Sequence, residues 1–170
     1  DRLFNRLIGK VGFFFTPAFL FLSALGIAMA VAVAVTNWQD MAGQLSRLYS
    51  LSALPLISLT IFLVITAHEF AHGLTCKRFG GEVHEIGFLL IYFQPALYCN
   101  VSDAWLFPEK SRRLWVGFAG MYMELFLWAV AVLVWRMTEV DTWINFVAFT
   151  VLTSSGIKTL FNLNPLIKLD

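Results

Sequence analysis

Four long apolar stretches, separated by polar intervals, set the rhythm of this 170-residue chain. Residues 1–10 mix basic Arg2, Arg6 and Lys10 with apolar Leu3, Phe4, Leu7 and Ile8, the pattern of a short helix lying at a membrane interface. Residues 11–35 are almost wholly apolar. A bilayer takes about 20 helical residues to cross, so this stretch predicts a first span, with a kink tolerated at Pro17. Residues 36–50 are polar and read as a loop or a short surface helix. Residues 51–79 predict a second span, ended by Lys77 and Arg78 and then Gly80-Gly81, as a helix C-terminus prefers. Residues 114–135 predict a third, with Trp115 and Trp135 as interfacial anchors. Residues 143–161 predict a fourth, interrupted by Thr153-Ser154-Ser155-Gly156 and by Lys158.

Residues 82–103 break the rhythm. An apolar run, 88–93, meets Gln94-Pro95 and resumes at Ala96-Leu97-Tyr98. Neither half is long enough to span as a helix, and the β-branched and aromatic content favours strands or a re-entrant segment. Irregular backbone at membrane depth is allowed only where protein or a water-filled cavity covers it. The fold class expected is therefore an all-α polytopic membrane protein. It has about four transmembrane helices and a short membrane-embedded β or re-entrant segment between the second and third.

Composition sharpens this picture. The chain is 59% hydrophobic and only 14% charged, against about 25% charged in a soluble domain. A net charge of +1 offers no basic surface for nucleic acid. Cys76 and Cys99 form no C-x-x-C and read as free thiols packed as small hydrophobes. The length suits one domain, 1–170, and the ends at Asp1 and Asp170 suggest a piece of a longer chain. No internal repeat or low-complexity tract is present. With four spans and the N-terminus inside, inner segments hold eight Lys and Arg and outer loops two, Arg47 and Arg136. Both termini are then expected on the cytoplasmic side.

The chemistry lies at the end of the second span, in His68-Glu69-Phe70-Ala71-His72. Residues four apart share a helix face, so both imidazoles can bind one Zn²⁺ while Glu69 reaches a water as general base. Ionisable groups inside a membrane are costly and point to function. A catalytic zinc usually has three protein ligands. Asp170, His84, Glu85 and Glu124 are the candidates for the third; Asp170 is favoured because the topology brings it to the same depth, and Glu124 is its rival.

These residues resemble the site-2 protease family of intramembrane zinc metalloproteases. The H-E-x-x-H at 68–72 resembles the family's own. Asn162 to Asp170, Asn-Leu-Asn-Pro-Leu-Ile-Lys-Leu-Asp, resembles its N-x-x-P-x-x-x-x-D, and Ala119-Gly120 its A-G-P-x-x-N stretch, with Met121 in place of Pro and Glu124 where Asn is usual. The resemblance implies zinc ligands His68, His72 and Asp170, with Glu69 as the base. It implies Asn162 at the substrate or oxyanion, with Glu124 lining the site. It also implies a membrane-embedded β element at 88–98 that presents substrate. The expected activity is hydrolysis of peptide bonds within or next to transmembrane segments, in a bacterial cytoplasmic membrane, with accessory or export subunits as further partners. The alternative is a non-catalytic membrane module of a peptide maturation or export system that keeps the fold; intact Glu69 argues against it.

Overall fold

The computed structural model describes residues 2–91 and 94–162. The order of elements is α1 (Arg2–Val11), α2 (Pro17–Thr36), α3 (Trp38–Gln44), α4 (Leu54–Arg78), β1 (Glu85–Ile91), β2 (Gln94–Asn100), α5 (Lys110–Met137) and α6 (Trp143–Asn162), with 3₁₀ turns between several of them. Among the described residues, three helical stretches are long and apolar enough to cross a membrane: Pro17–Thr36, Leu51–Arg78 and Lys110–Met137. The fourth expected span, α6, is a 20-residue helix but is not among them. It carries the Thr153-Ser154-Ser155-Gly156 run and Lys158.

Pro17 does not kink a helix; it starts one. Thr16 caps α2, its Oγ1 accepting the Phe19 N–H at 3.2 Å, and Pro17 takes the first helical position, where its missing N–H costs nothing. The chain before it forms a separate 3₁₀ turn, Gly12–Phe15.

The described residues form two compact units. The first comprises residues 2–20 and 65–123. Its core is Cys76, Ala104, Phe107 and Val116, with Phe79 and Val101 packed on them. Here α4 ends where the sequence says it should. Gly80 takes a left-handed φ of 89°, which glycine adopts without strain. The Gly81 N–H then donates to the Cys76 carbonyl at 3.0 Å. A Cβ on Gly81 would lie 2.6 Å from Cys76 Sγ and 2.9 Å from Phe107 Cζ, so this turn also fits closely under the core.

From that turn the chain enters an antiparallel hairpin, with pairs from Glu85↔Asn100 to Ile91↔Gln94. Of the two expectations for this segment, strands are what forms. Tyr98 lies across Gly87, its cross-strand partner, and its hydroxyl donates to Glu85. Ala96 and Leu97 of β2 are buried, whereas Phe88, Leu89 and Leu90 of β1 are exposed.

The second unit comprises residues 21–64 and 124–162 of the described chain. Its core joins Ala30 of α2, Ala129, Ala131, Val132 and Trp135 of α5, and Ala148, Phe149 and Leu152 of α6. Four alanines let the helices approach closely, the packing mode of helices in lipid. Outward, α2 presents Phe21, Leu22, Leu25, Met29 and Val35. A helix apolar on every side is suited to a bilayer. Buried Asn145 fixes the α5–α6 corner: its Nδ2 donates to the Trp135 carbonyl at 2.9 Å and its Oδ1 accepts from Arg47 at 2.9 Å.

Candidate metal centre

His68 and His72 stand one turn apart on α4, their Nε2 atoms 3.0 Å apart. His68 is buried, and His72 and Glu69 are half-buried. The His72 ring is fixed from behind: Nδ1 lies 2.7 Å from the carbonyl oxygen of Val116 on α5. A carbonyl only accepts, so Nδ1 carries a proton, and in the neutral ring Nε2 then keeps its lone pair. This is how a metal-binding histidine is held in the right tautomer. In that tautomer His72 Nε2 accepts from His68 Nε2, or, with the His68 proton on Nδ1 instead, both Nε2 atoms are free to hold a cation.

Gly120 lies one turn beyond Val116 on α5 and faces the same two rings. A Cβ there would fall 2.4 Å from His72 Nε2 and 2.5 Å from His68 Nε2. The absence of a side chain on Gly120 therefore lets both rings seat their Nε2 edges directly against α5. A pair of imidazoles in this arrangement fits two of the ligands of a zinc ion.

Glu69, one residue round the helix, turns to the hairpin. Its Oε2 accepts the Cys99 backbone N–H at 3.1 Å. The carboxylate thus touches β2 of the only two-stranded sheet among the described residues, and this bond ties α4 to the strand beside the histidine pair.

The other candidates for a third ligand are engaged elsewhere. His84 donates from Nε2 to Asp103 Oδ1 at 2.6 Å, with its side chain half exposed. The Glu82 N–H reaches the other oxygen of Asp103 at 2.9 Å. The His84 hydrogen bond, followed by that of Glu82, holds the Asp103 carboxyl below its ordinary value. Glu85 accepts from Tyr98. Glu124 is fully buried, and Lys158 Nζ of α6 lies 2.6 Å from its Oε1. Among the described residues, no group of three or more His, Cys, Asp or Glu is placed to hold a metal. Asp170 lies outside the described residues, as does the side chain of Asn162, the last residue of α6.

Three partners escaped the sequence reading. The Val116 carbonyl and the Cys99 N–H are backbone groups, which leave no mark in a sequence. Lys158 as the counter-charge of Glu124 could have been found, because each is an ionised residue inside an apolar helix and needs a partner.

Comparison with protein-family models, with curated proteins and with solved structures matches nothing.

Proposed function

We propose that this chain is the core of an intramembrane zinc metalloprotease of the site-2 type, cutting peptide bonds within or beside transmembrane segments. The observation that supports it best is the histidine pair: two Nε2 atoms 3.0 Å apart, one Nδ1 held by Val116, and both rings seated against Gly120. In this reading His68, His72 and Asp170 hold the metal, and Asn162 stands by the reacting carbonyl. Bound zinc supplies a Lewis acid that acidifies water and polarises a peptide carbonyl.

The chain's own groups do the rest. Glu69 takes a proton from the attacking water on a carboxylate oxygen and later hands it to the leaving amine. The His72 Nδ1–Val116 bond keeps the ring in its lone-pair tautomer throughout. A transmembrane helix hides its amides in its own hydrogen bonds, so substrate must unwind locally. The hairpin offers replacement partners by strand addition. Exposed Phe88 and Leu90 on β1 suit an apolar substrate or lipid better than water.

Four spans, counting α6, would place both termini on the cytoplasmic side of a bacterial membrane by the eight-to-two distribution of Lys and Arg. Substrate would be a membrane-spanning or membrane-proximal peptide, with accessory or export subunits as further partners. The test is zinc-dependent cleavage of a single-span peptide by the purified chain in liposomes, with Glu69→Gln as comparison. Turnover by wild type alone is expected. Equal cleavage by folded, zinc-loaded Glu69→Gln would refute the assigned chemistry. Peptide binding without turnover by wild type would favour the non-catalytic module instead.

A further inference from the structure

Helix α1 carries features that hydrolysis does not use. Arg2, Arg6 and Lys10 recur every four residues, so they form one row along the helix. All three are exposed, and no carboxylate among the described residues pairs with them. The helix has no acidic residue. Leu3 is exposed and Leu7 and Ile8 are half-buried, giving an apolar flank beside the basic row. Five residues separate the end of α1 from the start of α2, and α2 is long and apolar enough to cross a membrane.

On its other side α1 is anchored. Phe4 is completely buried. Its ring tip fills the place where a Cβ on Gly73 would stand, 2.5 Å from Cζ, and the same point is 3.0 Å from Cys99 Sγ. Its centroid is 5.3 Å from that of Phe70. Gly73 and Phe70 directly follow His72 and Glu69 in the chain. Phe4 therefore wedges between α4 and β2, next to the Glu69–Cys99 bond.

We propose that α1 is an anionic-lipid-binding helix: Arg2, Arg6 and Lys10 lie on acidic headgroups while Phe4 fastens the helix to α4 and β2 beside Glu69. Acidic phospholipid supplies the charge that the row lacks among the described residues. The flank of Leu3, Leu7 and Ile8 supplies the apolar contact that an interfacial helix needs. Lipid composition would then set how firmly Phe4 is seated. The headgroup charge acts on the row, and the row and Phe4 belong to one rigid ten-residue helix.

The test is backbone amide exchange of residues 2–11 in the whole chain, held in nanodiscs of phosphatidylcholine alone or mixed with phosphatidylglycerol. It does not require catalysis, so it can fail independently of the protease reading. Three cations near an anionic surface predict exchange slower by about a hundredfold at low salt in the anionic discs. Raised salt should collapse that difference. Arg2→Gln/Arg6→Gln/Lys10→Gln should abolish it while matching wild type in phosphatidylcholine. Phe4→Ala should speed exchange in both discs. Equal exchange of wild type in the two discs would overturn the proposal, leaving the row to an acidic protein partner. So would a difference that survives the triple substitution or high salt.

Discussion

Replacing Gly120 by Ala sets two effects of opposite sign against each other. Alanine in place of a helical glycine stabilises by about 1 kcal/mol through backbone entropy. The new methyl, however, would lie 2.4 Å from His72 Nε2 and 2.5 Å from His68 Nε2. Both distances are far inside contact, and overpacking of this kind costs about 1–3 kcal/mol. The cheapest relief is for the rings to swing away, since the backbone of α5 cannot. Swinging His72 breaks its 2.7 Å bond to Val116, and loss of such a supporting bond alone weakens metal affinity roughly 10- to 100-fold. Gly120→Ala should therefore leave the chain folded, with a melting temperature within a few degrees of wild type, and lower zinc affinity at least tenfold. Gly117→Ala is the control, because a Cβ on Gly117 meets nothing within 4 Å on the same helix. It should keep zinc affinity and gain the helix term alone. The assay is competition for zinc with a chelator of known affinity in detergent, beside thermal unfolding of the same samples. Wild-type zinc affinity in Gly120→Ala would refute the claim that the metal-holding placement of the two imidazoles depends on the missing side chain of Gly120.

Other outcomes follow from the same contacts. Glu69→Gln can still accept the Cys99 N–H through its amide oxygen, so it should keep the fold and lose turnover by about 10²- to 10⁴-fold, whereas Glu69→Ala should also speed amide exchange at Cys99. Lys158→Met removes the charged partner 2.6 Å from buried Glu124 and should cost about 3 kcal/mol, the low end for a broken buried pair because Lys158 is partly exposed; Lys158→Met/Glu124→Leu should recover most of it in a double-mutant cycle by thermal unfolding. Asp103, held below its ordinary value by His84 and Glu82, supports the chain after α4 at pH values above that ordinary range and loses this support as pH falls through its lowered value. Amide exchange of residues 82–103 should then rise on acidification in wild type, and Asp103→Asn should show the raised exchange already at neutral pH.

Much of the fold is legible in the residues. The end of α4 could be read from Lys77, Arg78 and Gly80-Gly81, because helix termination depends on local chemistry. The strands Glu85–Ile91 and Gln94–Asn100 are one of the two readings, strands or a re-entrant segment, that the β-branched and aromatic content around Gln94-Pro95 left open. Pro17 is a helix start rather than a kink because Thr16 supplies the cap, a two-residue signal that the apolar run around it obscures. The fourth expected span forms a helix, α6, but is not among the three stretches long and apolar enough to cross a membrane in the described residues. His68 and His72 are brought together as helical spacing requires. Gly120 drew notice only through a resemblance, since nothing in a lone glycine says which side chains will face it. His84, twelve residues past His72, could not be placed from the sequence because its position depends on Asp103, beyond the hairpin.

The most direct measurement is the zinc content of the purified chain, by elemental analysis, for wild type, His68→Ala and His72→Ala. One zinc per wild-type chain and almost none in either folded variant is the predicted result. Zinc-free wild type after purification with added zinc, or full zinc in either variant, would contradict a metal centre at this histidine pair.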